Sequence, residues 1–184
     1  MTRILFVCVA NICRSPIAES VARSIAKSEG IVEFFQFDSA GTIGNFAGQA
    51  PDDRARQVLT ERGYVMSGIK ARTITLKDFE KFDLILAMDR KILFSLQRIC
   101  PPAHRNKLHL LLEYLANEAD GEVPDPYYGN LAGFEHVLDI CEQAVRPLLA
   151  KHTSMKPASE KSVDDQGILK RIKQLFSHRG SGIT

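Results

Sequence analysis

Long apolar runs are absent from this chain of 184 residues. No stretch approaches the ~18 consecutive apolar residues that a membrane-spanning helix requires, so we expect no transmembrane segment. The first apolar segment, residues 4–7, leads straight into a loop that carries cysteine and arginine and has no plausible cleavage site, so we expect no signal peptide. With 45% apolar and 25% charged residues, the composition is typical of one globular domain with a short appendage.

Cysteine is also scarce, with four residues in the chain. This number is too small for a disulfide scaffold, and reduced thiols indicate a cytoplasmic protein. Cys8 and Cys13 have the spacing of half a metal site, but no second Cys/His pair accompanies them. The five histidines are scattered, with none at ligand spacing, so we expect them at the surface and expect no metal.

A strong excess of charge is missing from most of the chain, whose net charge is +2. Residues 151–184 hold seven Lys or Arg and three Asp or Glu, a balance of +4, which leaves residues 1–150 at −2. The main part of the chain therefore gives no reason to expect a nucleic-acid partner.

The composition changes near residue 151, so we expect a domain over residues 1–151 and a basic C-terminal extension over residues 152–184. The extension begins with a linker rich in Lys, Pro and Ser. Residues 167–176 follow with the pattern of a short amphipathic helix, which is marginal unless it docks. Its positive charge predicts an acidic partner or surface.

Apolar segments of two kinds alternate along the first 151 residues. Residues 3–8 form a nearly continuous apolar run, which predicts a strand covered on both faces, and further strands are predicted over residues 32–39, 82–88 and 107–111. Segments with helical spacing predict helices over about 15–28, 53–63, from Asp89 onward and over 131–151. The alternation predicts an α/β fold, an open four-stranded parallel sheet of flavodoxin or Rossmann type with helices on both faces. Ligands bind beyond the carboxyl ends of the strands in such folds.

Residues 7–15, VCVANICRS, directly follow the first predicted strand. Ser15 is a preferred N-cap residue and Pro16 suits the first helical position, so the loop is predicted to end at a helix N-terminus. Free N–H groups and the helix dipole make such a loop an anion site, to which Arg14 adds a planar fork. Cys8 is then expected to be a thiolate nucleophile. A buried structural cysteine with a surface arginine fits this combination poorly.

Asp125 precedes Pro126, Tyr127, Tyr128 and Gly129. Thiol-based phosphate hydrolysis needs a group that protonates the leaving oxygen and later activates water, and one carboxyl can do both. The two tyrosines can flank a flat substrate. On spacing alone, however, a polar turn residue followed by half-buried tyrosines is the better interpretation.

Residues 8–16 (CVANICRSP) and 125–129 (DPYYG) resemble the signatures of the low-molecular-weight protein tyrosine phosphatases. Residues 38–42 (DSAGT) and 82–89 (FDLILAMD) extend the resemblance, which covers about residues 1–150. It implies a four-stranded parallel sheet flanked by helices and an enzyme that dephosphorylates tyrosine-phosphorylated protein. It also favours catalysis over the turn interpretation for Asp125.

The resemblance implies a role for each matching residue. Cys8 attacks phosphorus, Asp125 protonates the leaving phenol and then activates water, and Arg14 with the loop N–H groups binds the phosphate or another oxyanion. No metal or cofactor takes part. Substrate contacts are expected from Val9, Ala10, Asn11, Ile12, Cys13, Ser15, Phe46, Tyr127 and Tyr128. Ser39 is expected to support the loop through Asn11, and Asp89 to hold the site.

Ala10 departs from the resemblance, because the family usually has glycine there. A methyl group would cause strain if this position needs a positive φ. The resemblance also implies a reversible Cys8–Cys13 disulfide that shields the nucleophile, and a tyrosine pair that kinases can modify. Arg54 and Arg56, at the start of the second helix, are expected to be solvated.

Three other functions compete with tyrosine dephosphorylation. Related arsenate reductases use further redox cysteines, but Cys100 and Cys141 are far apart in the sequence and Cys141 lies on an apolar helix face. Protein arginine phosphatases tend to carry Thr at the position of Ile12, whose apolar side chain favours an aryl phosphate. A non-catalytic phosphate-binding module would not need Cys8, Arg14 and Asp125 together.

Overall fold

A computed structural model describes residues 1–66, 68–115 and 121–154, the last without its side chain. Its sheet consists of β1 (Thr2–Cys8), β2 (Phe35–Gly41), β3 (Leu84–Ala87) and β4 (Leu108–Leu110). All pairings are parallel, and the strand order is β2-β1-β3-β4. The predicted four-stranded parallel sheet is confirmed.

Five α-helices accompany the sheet in the described residues: α1 (Arg14–Ser28), α2 (Asp53–Glu61), α3 (Leu76–Lys81), α4 (Arg90–Ile99) and α5 (Leu131–Ser154). Helix α3 was not predicted, because its six residues are too few for a clear period. Its sequence signal is the Thr75/Asp78 spacing, since the Asp78 carboxylate accepts from the Thr75 backbone N–H at 2.7 Å.

Several predicted element boundaries are shifted by one to three residues. Helix α1 begins at Arg14 with Cys13 in the N-cap position, so Ser15 is not the N-cap; its hydroxyl bonds to the Cys8 sulfur instead. The second strand begins at Phe35 because Val32–Phe34 form a 3-10 turn, and it continues to Gly41. The helix predicted over residues 131–151 exists and continues to Ser154.

The core is built around the central strand β1. Ile4, Leu5, Phe6 and Val7 are completely buried, as expected for a parallel strand covered on both faces. The predicted apolar face of α5 is completely buried as well: Phe134, Val137, Leu138, Cys141, Val145 and Leu148. This packing fixes the carboxyl ends of the strands, where Cys8 pairs with Gly41.

The first compact unit of the chain is Met1–Thr153. No helix among the described residues is long and apolar enough to cross a membrane. The predicted linker and the predicted amphipathic helix over 167–176 lie outside the described residues, so the organisation of the extension stays a prediction.

Candidate active site

The Cys8 loop, residues 8–14, joins β1 to α1 and owes its shape to Asn11. Asn11 has a φ of 58° and is the only non-glycine residue with positive φ in the described part of the chain. Asparagine tolerates this left-handed conformation better than most residues. Ala10 does not adopt it, so the strain foreseen for its methyl group does not arise.

The Asn11 side chain is completely buried and ties three segments together. Its Nδ2 donates to the hydroxyls of Ser15 at 3.0 Å and Ser39 at 2.9 Å, and its Oδ1 accepts from the Arg72 backbone N–H at 2.9 Å. The predicted contact of Ser39 with Asn11 is therefore present. Because this buried amide is bonded on every side, the loop has little freedom to change shape.

The Cys8 sulfur lies at the bottom of the loop and accepts two hydrogen bonds. The Asn11 backbone N–H donates at 3.3 Å and the Ser15 hydroxyl at 3.0 Å. Hydrogen bonds to the charged form of a group favour that form, so both donors stabilise a thiolate. The arrangement suits a sulfur that gains and loses negative charge.

Arg14 is held by carboxylates on two sides. Its Nη1 donates to Asp89 Oδ2 at 2.7 Å and to the Val123 carbonyl at 3.1 Å, and its Nη2 donates to Asp125 Oδ2 at 2.8 Å. The arginine side chain is 3% exposed, whereas that of Asp125 is 46% exposed. The structure thus brings the distant Asp125 to the mouth of the Cys8 loop, with one face open.

Asp89 has a second function at this edge of the sheet. Its Oδ1 accepts from the Ile92 backbone N–H at 2.7 Å and caps α4, while its other oxygen binds Arg14. The end of β3 thereby fixes the guanidinium, as the position of Asp89 after a strand suggested.

Cys13, like Cys8, is a buried free thiol. Burial first, and then the nearby Asp52 carboxylate, raise the pKa of Cys13 to about 12. This thiol stays protonated at neutral pH. A regulatory Cys8–Cys13 disulfide remains a prediction.

A cavity of about 200 Å³ opens above the Cys8 sulfur. Its lining consists of Cys8, Val9, Ala10, Ile12, Cys13, Arg14, Ile43, Phe46, Asp125, Tyr127 and Tyr128. Ile43 is the one lining residue that the sequence analysis missed. Asn11 and Ser15, predicted among the substrate contacts, do not line the cavity; their buried side chains support the loop from behind.

Glu19 extends the supporting network and was also missed. Its Oε2 accepts from the Ser39 hydroxyl at 2.6 Å, and its Oε1 accepts from Arg23 at 2.8 Å. Its sequence signal is the four-residue spacing from Ser15, which places both side chains on one face of α1.

Arg72 supports the loop from another side. Its guanidinium bonds to Asp38 and Asp78, both at 3.0 Å, which holds its backbone N–H against Asn11. Burial by itself raises the pKa of Asp78. Hydrogen bonds from Arg72 and Thr75 outweigh this effect and keep the pKa below its ordinary value.

Gly41 leaves room for the Cys8 loop at the end of β2. A Cβ atom there would lie 2.6 Å from the Val9 carbonyl oxygen and 2.9 Å from the Ala10 carbonyl carbon. Real side chains do not come this close to backbone, so the loop can pass only over glycine.

Arg54 is only partly solvated, with 32% of its side chain exposed, whereas Arg56 is exposed as expected. The Arg54 guanidinium bonds to Asp52 and to the carbonyls of Tyr127 and Gly129, and it lies 4.4 Å from the ring centroid of Phe134. No group of three His, Cys, Asp or Glu side chains in the described ranges is arranged to hold a metal ion.

Comparisons with known proteins agree with this geometry. The family model "low molecular weight phosphotyrosine protein phosphatase" matches residues 3–161. A putative low molecular weight protein-tyrosine-phosphatase of Synechocystis, slr0328, is 42% identical over 148 residues, which cover 80% of this chain and 94% of the relative.

Among solved structures, a protein tyrosine phosphatase from Entamoeba histolytica with Hepes in its active site aligns with a TM-score of 0.80 and 38% identity, over 84% of this chain and 98% of the other. The arginine phosphatase YwlE, as a mutant with a phosphorylated active-site serine, aligns with a TM-score of 0.77 and 27% identity, over 84% and 98%. The family match and the sequence identity place this chain in the low molecular weight phosphotyrosine protein phosphatase family.

Proposed function

We propose that this protein hydrolyses phosphotyrosine in proteins through a cysteinyl-phosphate intermediate. The observation that carries the proposal is the placement of three groups at one cavity. The Cys8 sulfur accepts two hydrogen bonds at the bottom, Arg14 lies beside it, and the Asp125 carboxylate is 2.8 Å from Arg14 at the mouth.

In the first step, the Cys8 thiolate attacks phosphorus and the bond from phosphorus to the tyrosyl oxygen breaks. Asp125 acts as the general acid and gives a proton to the leaving phenolate. Backbone N–H groups of residues 9–14 and the Arg14 fork bind the three remaining oxygens. Their fixed positions supply the electrostatic stabilisation on which phosphoryl transfer depends.

In the second step, the Asp125 carboxylate takes a proton from water, whose oxygen attacks the phosphorus of the cysteinyl phosphate. The sulfur–phosphorus bond breaks, inorganic phosphate forms and the thiolate returns. The Ser15 hydroxyl, 3.0 Å from the sulfur, stabilises the thiolate as it leaves.

The side walls of the cavity favour an aromatic ring. Ile12, Phe46 and Tyr127 present apolar surface, which suits the ring of phosphotyrosine better than the polar guanidinium of phosphoarginine. Arsenate reduction is disfavoured because Cys100 and Cys141 are buried away from the cavity lining. Burial raises the pKa of Cys141 to about 12, which makes it a poor redox partner.

The partners we propose are tyrosine-phosphorylated proteins, and an acidic partner or surface for the basic extension. The compartment we propose is the cytoplasm, because Cys8, Cys13, Cys100 and Cys141 are all free thiols.

Substrate choice is the test. The purified chain is assayed in the presence of EDTA with phosphotyrosine and phosphoarginine peptides of the same sequence, with Cys8→Ser as the inactive control. We expect kcat/KM to be at least about tenfold higher for phosphotyrosine, the size of preference that pocket contacts provide. Faster hydrolysis of phosphoarginine would indicate an arginine phosphatase instead. Full activity of Cys8→Ser would exclude the proposed mechanism.

A further inference from the structure

Arg54 lies in the first turn of α2, between the Cys8 loop and the Asp125 loop (residues 125–129). On the first side it binds Asp52, with Nε 3.0 Å from Oδ1 and Nη2 2.9 Å from Oδ2. The backbone N–H of Asp52 donates in turn to the Ile12 carbonyl at 2.9 Å. Arg54 is therefore connected to the Cys8 loop through a single residue.

On the second side, Arg54 binds the backbone of the Asp125 loop. Its Nη1 donates to the Gly129 carbonyl at 2.9 Å, and its Nη2 donates to the Tyr127 carbonyl at 3.0 Å. The guanidinium also lies 4.4 Å from the ring centroid of Phe134 in α5. One side chain thus joins α2, the Asp125 loop and α5.

The Asp125 carboxylate has two described hydrogen-bond partners of its own. One is Arg14, and the other is the Tyr127 backbone N–H, which donates to Oδ1 at 3.2 Å. In the proposed function the substrate phosphate binds this same Arg14 fork, so the Tyr127 peptide is the partner of Asp125 that does not also bind the phosphate. Arg54 holds the carbonyl of that same residue.

We propose that Arg54 is a positioning residue that holds Asp125 at the distance needed for proton transfer to the leaving group. The inference rests on the proposed function, in which Asp125 is the general acid. An error of about 1 Å in such a position can lower a rate about 100-fold, so fixing the loop has a direct effect on the proton-transfer step.

The chemistry of arginine explains why this position needs its fork. A planar guanidinium can bind a carboxylate along one edge and carbonyl oxygens along the others, which the ammonium group of lysine cannot reproduce. The side-chain hydrogen bond from Arg54 keeps the pKa of Asp52 below its ordinary value, so the pair stays charged at neutral pH.

The test compares Arg54→Ala and Arg54→Lys with Arg56→Ala. Arg56 lies two residues further along α2, is exposed, and pairs with Asp53 instead of the Asp125 loop. For each variant, kcat/KM is measured with aryl phosphates whose phenols range from acidic to weakly acidic. Inhibition by inorganic phosphate shows whether the Cys8 loop still binds phosphate, and the melting temperature shows whether the variant is folded.

We expect Arg54→Ala to lower kcat/KM about tenfold for weakly acidic phenols and less than about threefold for the most acidic, because only poor leaving groups need the proton early. Arg54→Lys should fall between wild type and Arg54→Ala. Inhibition by phosphate should stay within about twofold in every variant, since the bond from Asp52 to the Ile12 carbonyl of the Cys8 loop is made by backbone and does not need the Arg54 side chain.

Equal losses for all phenols, or Arg54→Ala behaving like Arg56→Ala, would overturn the inference. If Arg54→Ala does not fold, Arg54→Lys decides, because it keeps the charge and most of the aliphatic stem. An inactive wild-type protein would contradict the proposed function itself, which separates the two failures.

Discussion

The floor and the rim of the cavity are built in opposite ways. The floor consists of Cys8 and Arg14, with the Asn11 and Ser15 side chains directly behind them. These four residues are at most 3% exposed, and they are bonded to one another or to neighbouring carboxylates. The rim (Phe46, Tyr127 and Tyr128) is more open, and Tyr128 is 98% exposed.

This difference separates two tasks. A buried and fully bonded floor can hold a charged transition state without rearranging, which benefits any phosphate ester that reaches it. An exposed rim meets the remainder of the substrate and can change without disturbing the floor. Substitutions in the floor should therefore lower rates for all substrates, and substitutions in the rim should alter the choice among them.

The largest expected contrast is in thiol reactivity, between Cys8 in the floor and Cys13 next to it. With a pKa of about 12 against an ordinary 9.0, the Cys13 thiol has about a thousandfold less thiolate than a free cysteine at neutral pH. Raising the pH from 6 to 9 should leave Cys13 unlabelled by iodoacetamide, because its folded-state pKa lies above this range, while Cys8 is labelled. Peptide mapping by mass spectrometry identifies which cysteines are labelled.

Chain unfolded in urea is the control, since there both thiols should react. Rapid labelling of Cys13 in the folded protein at pH 7 would show that the floor is more open than its burial indicates.

Asn11→Ala should have the next largest effect. It removes three hydrogen bonds of a buried side chain and leaves the Arg72 N–H unpaired, so we expect kcat/KM to fall about 100-fold for all aryl phosphates. The free energy of unfolding should fall by about 2 kcal/mol. Steady-state kinetics and urea denaturation measure the two effects.

Asn11→Asp serves as the matched variant, because it keeps the shape and loses the Nδ2 donors. Activity near wild type in both variants would mean that the loop holds itself without the asparagine.

Tyr128→Ala tests the rim and should have the smallest effect. We expect KM for a phosphotyrosine peptide to rise about threefold, a typical loss for one exposed contact, with kcat unchanged. A small aryl phosphate that does not reach Tyr128 is the control substrate. An equal rise in KM for both substrates would contradict the separation of tasks between floor and rim.

The division between neighbouring and distant residues of the site also separates what the sequence can predict from what it cannot. Eight consecutive residues contain Cys8, Asn11, Arg14 and Ser15, so the role of this segment can be predicted from the local sequence alone. Asp125 is 111 positions from Arg14, and its site role came from a resemblance to a family. The central strands β1 and β3 are predictable because both of their faces are covered, which makes their apolar runs nearly continuous.

The misses have a common cause. Arg54 meets Tyr127 and Gly129 across 73 and 75 positions, and Arg72 meets Asn11 across 61. Nothing in their immediate neighbours indicates these partners, so an arginine at a helix start is expected to face solvent. Ser15 is predicted as an N-cap because its local preference agrees with that position, but α1 begins one residue earlier, with Cys13 in the N-cap position.

The formation of phosphocysteine at Cys8 tests the central claim most directly. Asp125→Ala should slow hydrolysis of the intermediate while an aryl phosphate with an acidic phenol still forms it. The reaction is quenched in acid within the first turnover, and the peptides are mapped by mass spectrometry. We predict phosphate on Cys8; phosphate on Cys13 or on any other residue, or turnover without a phosphorylated enzyme, would contradict the mechanism.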